Sequence, residues 1–157
     1  MYIIVCGWIS ARQDPYAIRL RVTPAELTLD TTMIASAESA EGAEEIGVEG
    51  GEVVAVTIEN RANRMISSQN DMRTYLVYRV MDASGLAVYT SDQMRIDPRI
   101  SSGRTGTVEV TVRAADLQEV GVSPGTYRMV FDLQDPAGFF SEKGSSFETA
   151  ELLLTLR

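Results

Sequence analysis

Histidine is missing from the 157-residue chain, and cysteine occurs once. The first absence removes the commonest general base and the commonest metal ligand together. The second leaves Cys6 without an intrachain disulfide partner and without companions for a zinc cluster. The apolar run Tyr2-Ile3-Ile4-Val5-Cys6-Gly7-Trp8-Ile9 is too short for a membrane span of about 20 residues. It has no basic n-region, and the polar stretch Ser10-Ala11-Arg12-Gln13-Asp14-Pro15 follows it where a small-residue cleavage site would stand. Residues 1–16 therefore read as an N-terminal arm or extra strand, and Cys6 as a small buried hydrophobe. The expectation is a protein made in the cytoplasm without a signal peptide.

Basic residues are also missing where they would matter most. From Val22 to Asn60 there are nine acids and no Lys or Arg, against thirteen acids and fourteen bases elsewhere, for a net charge of −8. Phosphate neutralisation needs clustered Lys and Arg, so no nucleic-acid partner and no anionic membrane partner is expected. No Gly-rich phosphate loop or paired-carboxylate motif is legible, and the Ser and Cys side chains have no His to activate them. Neither an enzyme nor a cofactor is expected.

What the chain does contain is period-two alternation. Ile18, Leu20 and Val22 share one face and Arg19 and Arg21 the other; Pro24 interrupts the ladder, and Leu27 and Leu29 resume it. Val54, Val56 and Ile58 repeat the pattern, as do Leu76, Tyr78 and Val80. So do Val108, Val110 and Val112, then Tyr127, Met129, Phe131 and Leu133, and finally Leu152, Leu154 and Leu156. Turn signals fall between the runs, among them Glu49-Gly50-Gly51, Asp82-Ala83-Ser84-Gly85, Asp97-Pro98, Ser123-Pro124-Gly125 and Asp135-Pro136-Ala137-Gly138. The length suits one domain over residues 1–157. The class this predicts is all-β: an antiparallel sandwich of about seven to nine strands. Residues 31–50 break the pattern, being rich in Ala and Glu. They read as an acidic loop with room for a short helix over Ser36–Glu45, and also as a contact surface for a basic partner through residues such as Glu44 and Glu45.

Ser123-Pro124-Gly125-Thr126-Tyr127, leading into Arg128-Met129-Val130-Phe131, resembles the start of strand F in bacterial and phage immunoglobulin-like and fibronectin-like domains. That resemblance implies that the Tyr127 hydroxyl bonds a backbone group across the corner. Val22-Thr23-Pro24-Ala25-Glu26-Leu27-Thr28-Leu29, with Gly51-Glu52-Val53-Val54-Ala55-Val56-Thr57-Ile58-Glu59-Asn60, resembles the first two strands of the same superfamily. From Tyr75 onward the order of strand, Asp82–Gly85 turn, Pro-Gly-x-Tyr and Phe139-Phe140-Ser141-Glu142-Lys143-Gly144 is similar to sugar-binding sandwich domains of bacterial polysaccharide exporters. Phe139 stands where the first aromatic of those domains is commonly Trp.

The candidate interaction residues are Phe139, Phe140, Trp8, Glu44 and Glu45. Two adjacent loop phenylalanines are either both buried or split, one sealing the sandwich end while the other projects as an anchor or a sugar-stacking platform. Trp8 reads as a core plug or a ligand platform, and its run either pairs at home or adds to a neighbouring subunit. Asp82, Asp92, Asp97, Asp132 and Asp135 read as turn formers in preference to calcium ligands. The function these readings favour is a non-catalytic structural or interaction module. Its expected setting is a virion, as a capsid-decorating or tail-associated protein that docks on a protein scaffold or forms a homo-oligomer. The alternative is a carbohydrate-binding module with a glycan as ligand.

Overall fold

The computed structural model describes residues 14–30, 51–69 and 72–157. Trp8, Cys6, Glu44, Glu45 and the helix proposed over Ser36–Glu45 lie outside them. The described elements are β1 (Ile18–Thr23), β2 (Glu26–Leu29), β3 (Glu52–Asn60), β4 (Tyr75–Met81), β5 (Ala87–Thr90), β6 (Met94–Arg95), β7 (Thr105–Val112), α1 (Ala114–Glu119), β8 (Gly125–Asp135), β9 (Gly138–Phe139) and β10 (Ala150–Leu156). One sheet has the order β1-β3-β7; the other runs β2-β10-β8-β4-β5, with β6 on β4 and β9 on β8. In immunoglobulin terms these are strands A-B-E facing strands A′-G-F-C-C′, so the chain has an immunoglobulin-like sandwich fold.

The alternating residues supply the core. Ile18, Leu20, Val54, Val56, Ile58 and Val110 from one sheet meet Leu76, Tyr78, Val80, Met129, Phe131, Leu133 and Leu154 from the other, all buried. Pro24 lacks an N–H and ends the β1 ladder. The chain then crosses to the second sheet without reversing, so β2 lies parallel to β10 while every other described pairing between named strands is antiparallel. The antiparallel sandwich expected from the alternation is present, with this parallel pair added to it. The short helix α1 between β7 and β8 is a second addition. It buries Ala114 and Leu117 under the sandwich end, too little apolar periodicity for a helix to show in the sequence.

Register divides the connections between two ends. Glu52 faces Val112 and Glu59 faces Thr105; Met81 faces Arg128 and Tyr75 faces Gln134. The upper end therefore holds the exit of β2, the entry of β3, the β4–β5 turn and the α1 connection. The lower end holds the connections over residues 61–74, 91–104 and 136–149. A bridge between Arg19 and Glu148 joins the two sheets along the β1 side. Among the described residues no such bridge joins β7 to β5, which end their sheets on the opposite side.

Two polar residues fix the connections. Asn60 is fully buried; its Nδ2 donates to the carbonyls of Arg64 (2.8 Å) and Ile100 (3.0 Å), and its Oδ1 accepts from the Ala62 N–H at 3.0 Å. One amide thus ties two lower-end connections together. At the upper end the Tyr127 hydroxyl donates to the Ser123 carbonyl at 2.6 Å, across the corner that opens β8. Tyr127→Phe is expected to lose about 1 kcal/mol, the net worth of one such bond. Urea unfolding checks this: an unchanged midpoint would mean that the corner does not need the bond.

Candidate functional site

The outer face of the larger sheet divides into a covered half and an open half. Even-numbered residues of β8 point outward, yet Val130 and Asp132 are buried. The cover comes from the segment after β9. There a 3₁₀ turn (Phe140–Glu142) folds back so that the Ser141 N–H and hydroxyl both donate to Asp132, the N–H at 3.2 Å. Arg79, whose neighbour across the ladder is Val130, donates through Nη2 to Asp132 Oδ2 at 2.9 Å. Its guanidinium stacks 4.3 Å above the Phe139 ring. Burial pushes the Asp132 carboxyl above the usual range, against the pull of the Ser141 and Leu133 donors and of the Arg79 charge. Asp132 is therefore a mid-strand carboxylate under a polar latch, which corrects its reading as a turn former.

Asp82 and Asp135 do form turns. Asp82 Oδ1 accepts from the N–H groups of Ser84 (2.9 Å) and Leu86 (3.0 Å), and Asp135 Oδ1 from that of Ala137 (2.8 Å). The two phenylalanines split. Phe140 is fully buried, edge-on to Tyr16 at 5.2 Å and to Phe147 at 5.7 Å. Arg64 and Lys143 sit over this cluster at 5.1 and 5.6 Å from the Phe140 ring, and Lys143 also pairs with Asp135 at 2.8 Å. Phe139 is half-buried with one face under Arg79. Among the described residues no group of three or more carboxylates and thiols is placed to hold a metal ion, and no helix is long and apolar enough to cross a membrane.

The open half lies toward the upper end. Met81, Arg128 and Leu153 form one cross-strand row there, and Glu26 continues it on β2. An open groove of about 320 Å³ runs beside the row, closed at one side by the Asp82–Gly85 turn. Leu153, in an interior strand, is 43% exposed, and Leu86 at the start of β5 is 65% exposed. Among the described residues the exposed large apolar side chains are Val53, Met72, Leu86, Val88, Val120 and Leu153. All but Met72 ring the upper end: Val53 near the start of β3, Val120 after α1, Leu86 and Val88 at β5, Leu153 on the row. The sequence reading missed this ring, because each member sits alone in its own strand or turn and only the register brings them together.

Removing the latch should be costly. Asp132→Ala leaves the Arg79 guanidinium largely buried without its counter-charge and is expected to destabilise the fold by about 3 kcal/mol. Asp135 offers a pH test. Burial raises its pKa, but the Lys143 and Ala137 donors outweigh burial and hold it below the usual range. The stability this supplies is present above the unfolded carboxylate pKa and is lost as the pH falls through the folded one. Lys143→Met should therefore be about 2 kcal/mol less stable at neutral pH, with the gap closing below about pH 4. A pH series of unfolding midpoints checks both the size and the sign.

No family model matches the chain, and no curated protein does. Solved structures with similar architecture include the alkylpurine DNA glycosylase AlkC of Pseudomonas fluorescens bound to abasic-site DNA, at 15% identity and a TM-score of 0.41. That match covers 94% of this chain but spans only about a third (33%) of the glycosylase. A CARDB domain from Pyrococcus furiosus matches at 9% identity and a TM-score of 0.45, covering 92% of this chain and 96% of that one. A human ASH/PapD-like domain matches at 16% identity and a TM-score of 0.32, covering 92% and 87%. The fold assignment rests on the chain's own strand order and register.

Proposed function

We propose that this chain is a non-catalytic interaction module whose docking surface is the upper end of the sandwich. The observation that carries the reading is that the exposed Val53, Leu86, Val88, Val120 and Leu153 all lie at this end, with an open groove beside Leu153. Scattered apolar residues on a surface need no explanation, but a concentration at one end marks a contact site. The finer reading is a virion accessory protein, capsid-decorating or tail-associated, which presents this end to a repeating protein scaffold. The glycan reading needs an aromatic ring free to stack. Phe140 is enclosed, and one face of Phe139 already carries Arg79.

The double variant Leu86→Glu, Leu153→Glu is expected to keep its unfolding midpoint within a few degrees, since both side chains are exposed. It should lose at least tenfold in co-sedimentation with the large assembly that retains the wild type. Retention equal to wild type would contradict the docking end. Glycan-array binding that survives both substitutions would favour the carbohydrate alternative.

A further inference from the structure

An edge strand offers its unpaired N–H and C=O groups to another chain unless something blunts it. Among the described residues three of the four sheet edges are blunted. The segment before β10 covers the free side of β1: the Leu20 N–H donates to the Glu148 carbonyl and the Glu148 N–H to the Ile18 carbonyl, both at 2.9 Å. β2 and β5 are each four residues long, and the register of β5 on β4 breaks between Val80 and Met81. β7 is different. It keeps unbroken register with β3 over all eight residues, contains no proline or lysine, and pairs with no other described strand. Alternation shows which of its backbone groups are free. The Asn60 N–H donates to the Arg104 carbonyl and the Arg61 N–H to the Ala17 carbonyl, both at 2.9 Å. β3 therefore bonds β7 through its even-numbered residues and β1 through its odd-numbered ones. Even-numbered residues of β7 face those of β3, so the N–H and C=O groups of Thr105, Thr107, Glu109 and Thr111 point to the free side. All four side chains are exposed, and Val108 between them faces the core yet is only half-buried.

We infer that β7 pairs with β7 of a second copy, antiparallel about a two-fold axis at Val108, so that the two small sheets become one. The inference is independent of the docking end proposed above. The strand is its own complement in one register. Only an axis at Val108 pairs all four free residues with one another, Thr105 with Thr111 and Thr107 with Glu109, each pair exchanging two backbone hydrogen bonds. Charge favours the same register. Glu109 is the only charged residue in the strand. An axis at Glu109 would set it against its own copy, and like charges directly opposite are unfavourable, whereas an axis at Val108 sets it against Thr107. The flanking Arg104 and Arg113 then lie opposite Val112 and Gly103, so no two like charges stand opposite each other. At the axis the two Val108 side chains meet on the core face and cover the half-buried margin of each sandwich. Because paired strands run in opposite directions, the two upper ends point away from each other and the dimer carries a docking end at each extremity.

Charge substitutions at one exposed position of the full chain test the register, with the dimer dissociation constant read by sedimentation equilibrium. Thr107→Glu sets a carboxylate against Glu109 of the other copy at two symmetric places and should weaken dimerisation about fivefold. Thr107→Lys sets an ammonium there and should tighten it by about the same factor. Combining Thr107→Glu with Glu109→Lys restores opposite charges and should return the constant to near the wild-type value. Unfolding midpoints of dilute protein should stay within a few degrees throughout, because both side chains are exposed. A wild type that is still monomeric at about 1 mM would overturn the inference. So would a dimer whose dissociation constant moves in the same direction with Thr107→Glu and Thr107→Lys, or with neither. The upper-end variant Leu86→Glu, Leu153→Glu should dimerise as wild type does, so loss of its co-sedimentation and loss of the β7 contact are read separately.

Discussion

The burial of alternate residues between two facing sheets is the constraint from which the rest of the molecule follows. Every strand gives one face to the core, so the residues left for other purposes are those of the outer faces and the connections. β1 and β10 close one side through the Arg19–Glu148 bridge, and the crossing at Pro24 continues that closure into the second sheet. Once the sheets are fixed, register alone decides which connections share an end. It gathers the exit of β2, the entry of β3, the Asp82 turn and α1 at one end, and the connections over residues 91–104 and 136–149 at the other.

The outer face of the larger sheet shows how local chemistry refines that division. Its lower half is sealed by the Ser141–Asp132–Arg79 latch with Phe139 beneath the guanidinium. A buried carboxylate is tolerated there because four donor contacts, one of them from a cation, surround it. Sealing one half leaves the row of Met81, Arg128 and Leu153 as the open half of that face. The segment that resembles a sugar-binding element thus serves in this chain as a cover, and the exposed surface lies at the opposite end.

Much of the sandwich was legible in the sequence because period-two alternation is a local signal. Val54, Val56 and Ile58, or Leu152, Leu154 and Leu156, declare their face without help from neighbours. What stayed hidden depended on residues distant in the chain. Val130 and Asp132 sit at outward positions of their strand and are buried only because the turn at Ser141 folds over them. Asn60 ends its strand as an unremarkable polar residue, and its role emerges once the carbonyls of Arg64 and Ile100 converge on it. The parallel β2–β10 pair follows from a sheet switch at Pro24, where the sequence shows only an interruption. The candidate site was the least legible part: Leu86, Val120 and Leu153 carry no motif, and only register shows that they belong to the same end of the sandwich. Of Phe139 and Phe140, the residues that did stand out, Phe140 is buried and Phe139 is half-buried beneath Arg79.

The central claim is that the sandwich docks through its upper end, with the exposed apolar residues there as the anchor. Hydrogen–deuterium exchange on the full chain, comparing free protein with protein bound to the assembly that retains it, tests this most directly. Slower exchange on binding is expected in the segments 81–88 and 113–128 at the upper end. Exchange along β1 and its bridge to Glu148 should stay unchanged. Protection confined to the β1 and β10 strands, with the upper end exchanging as in the free protein, would contradict the account.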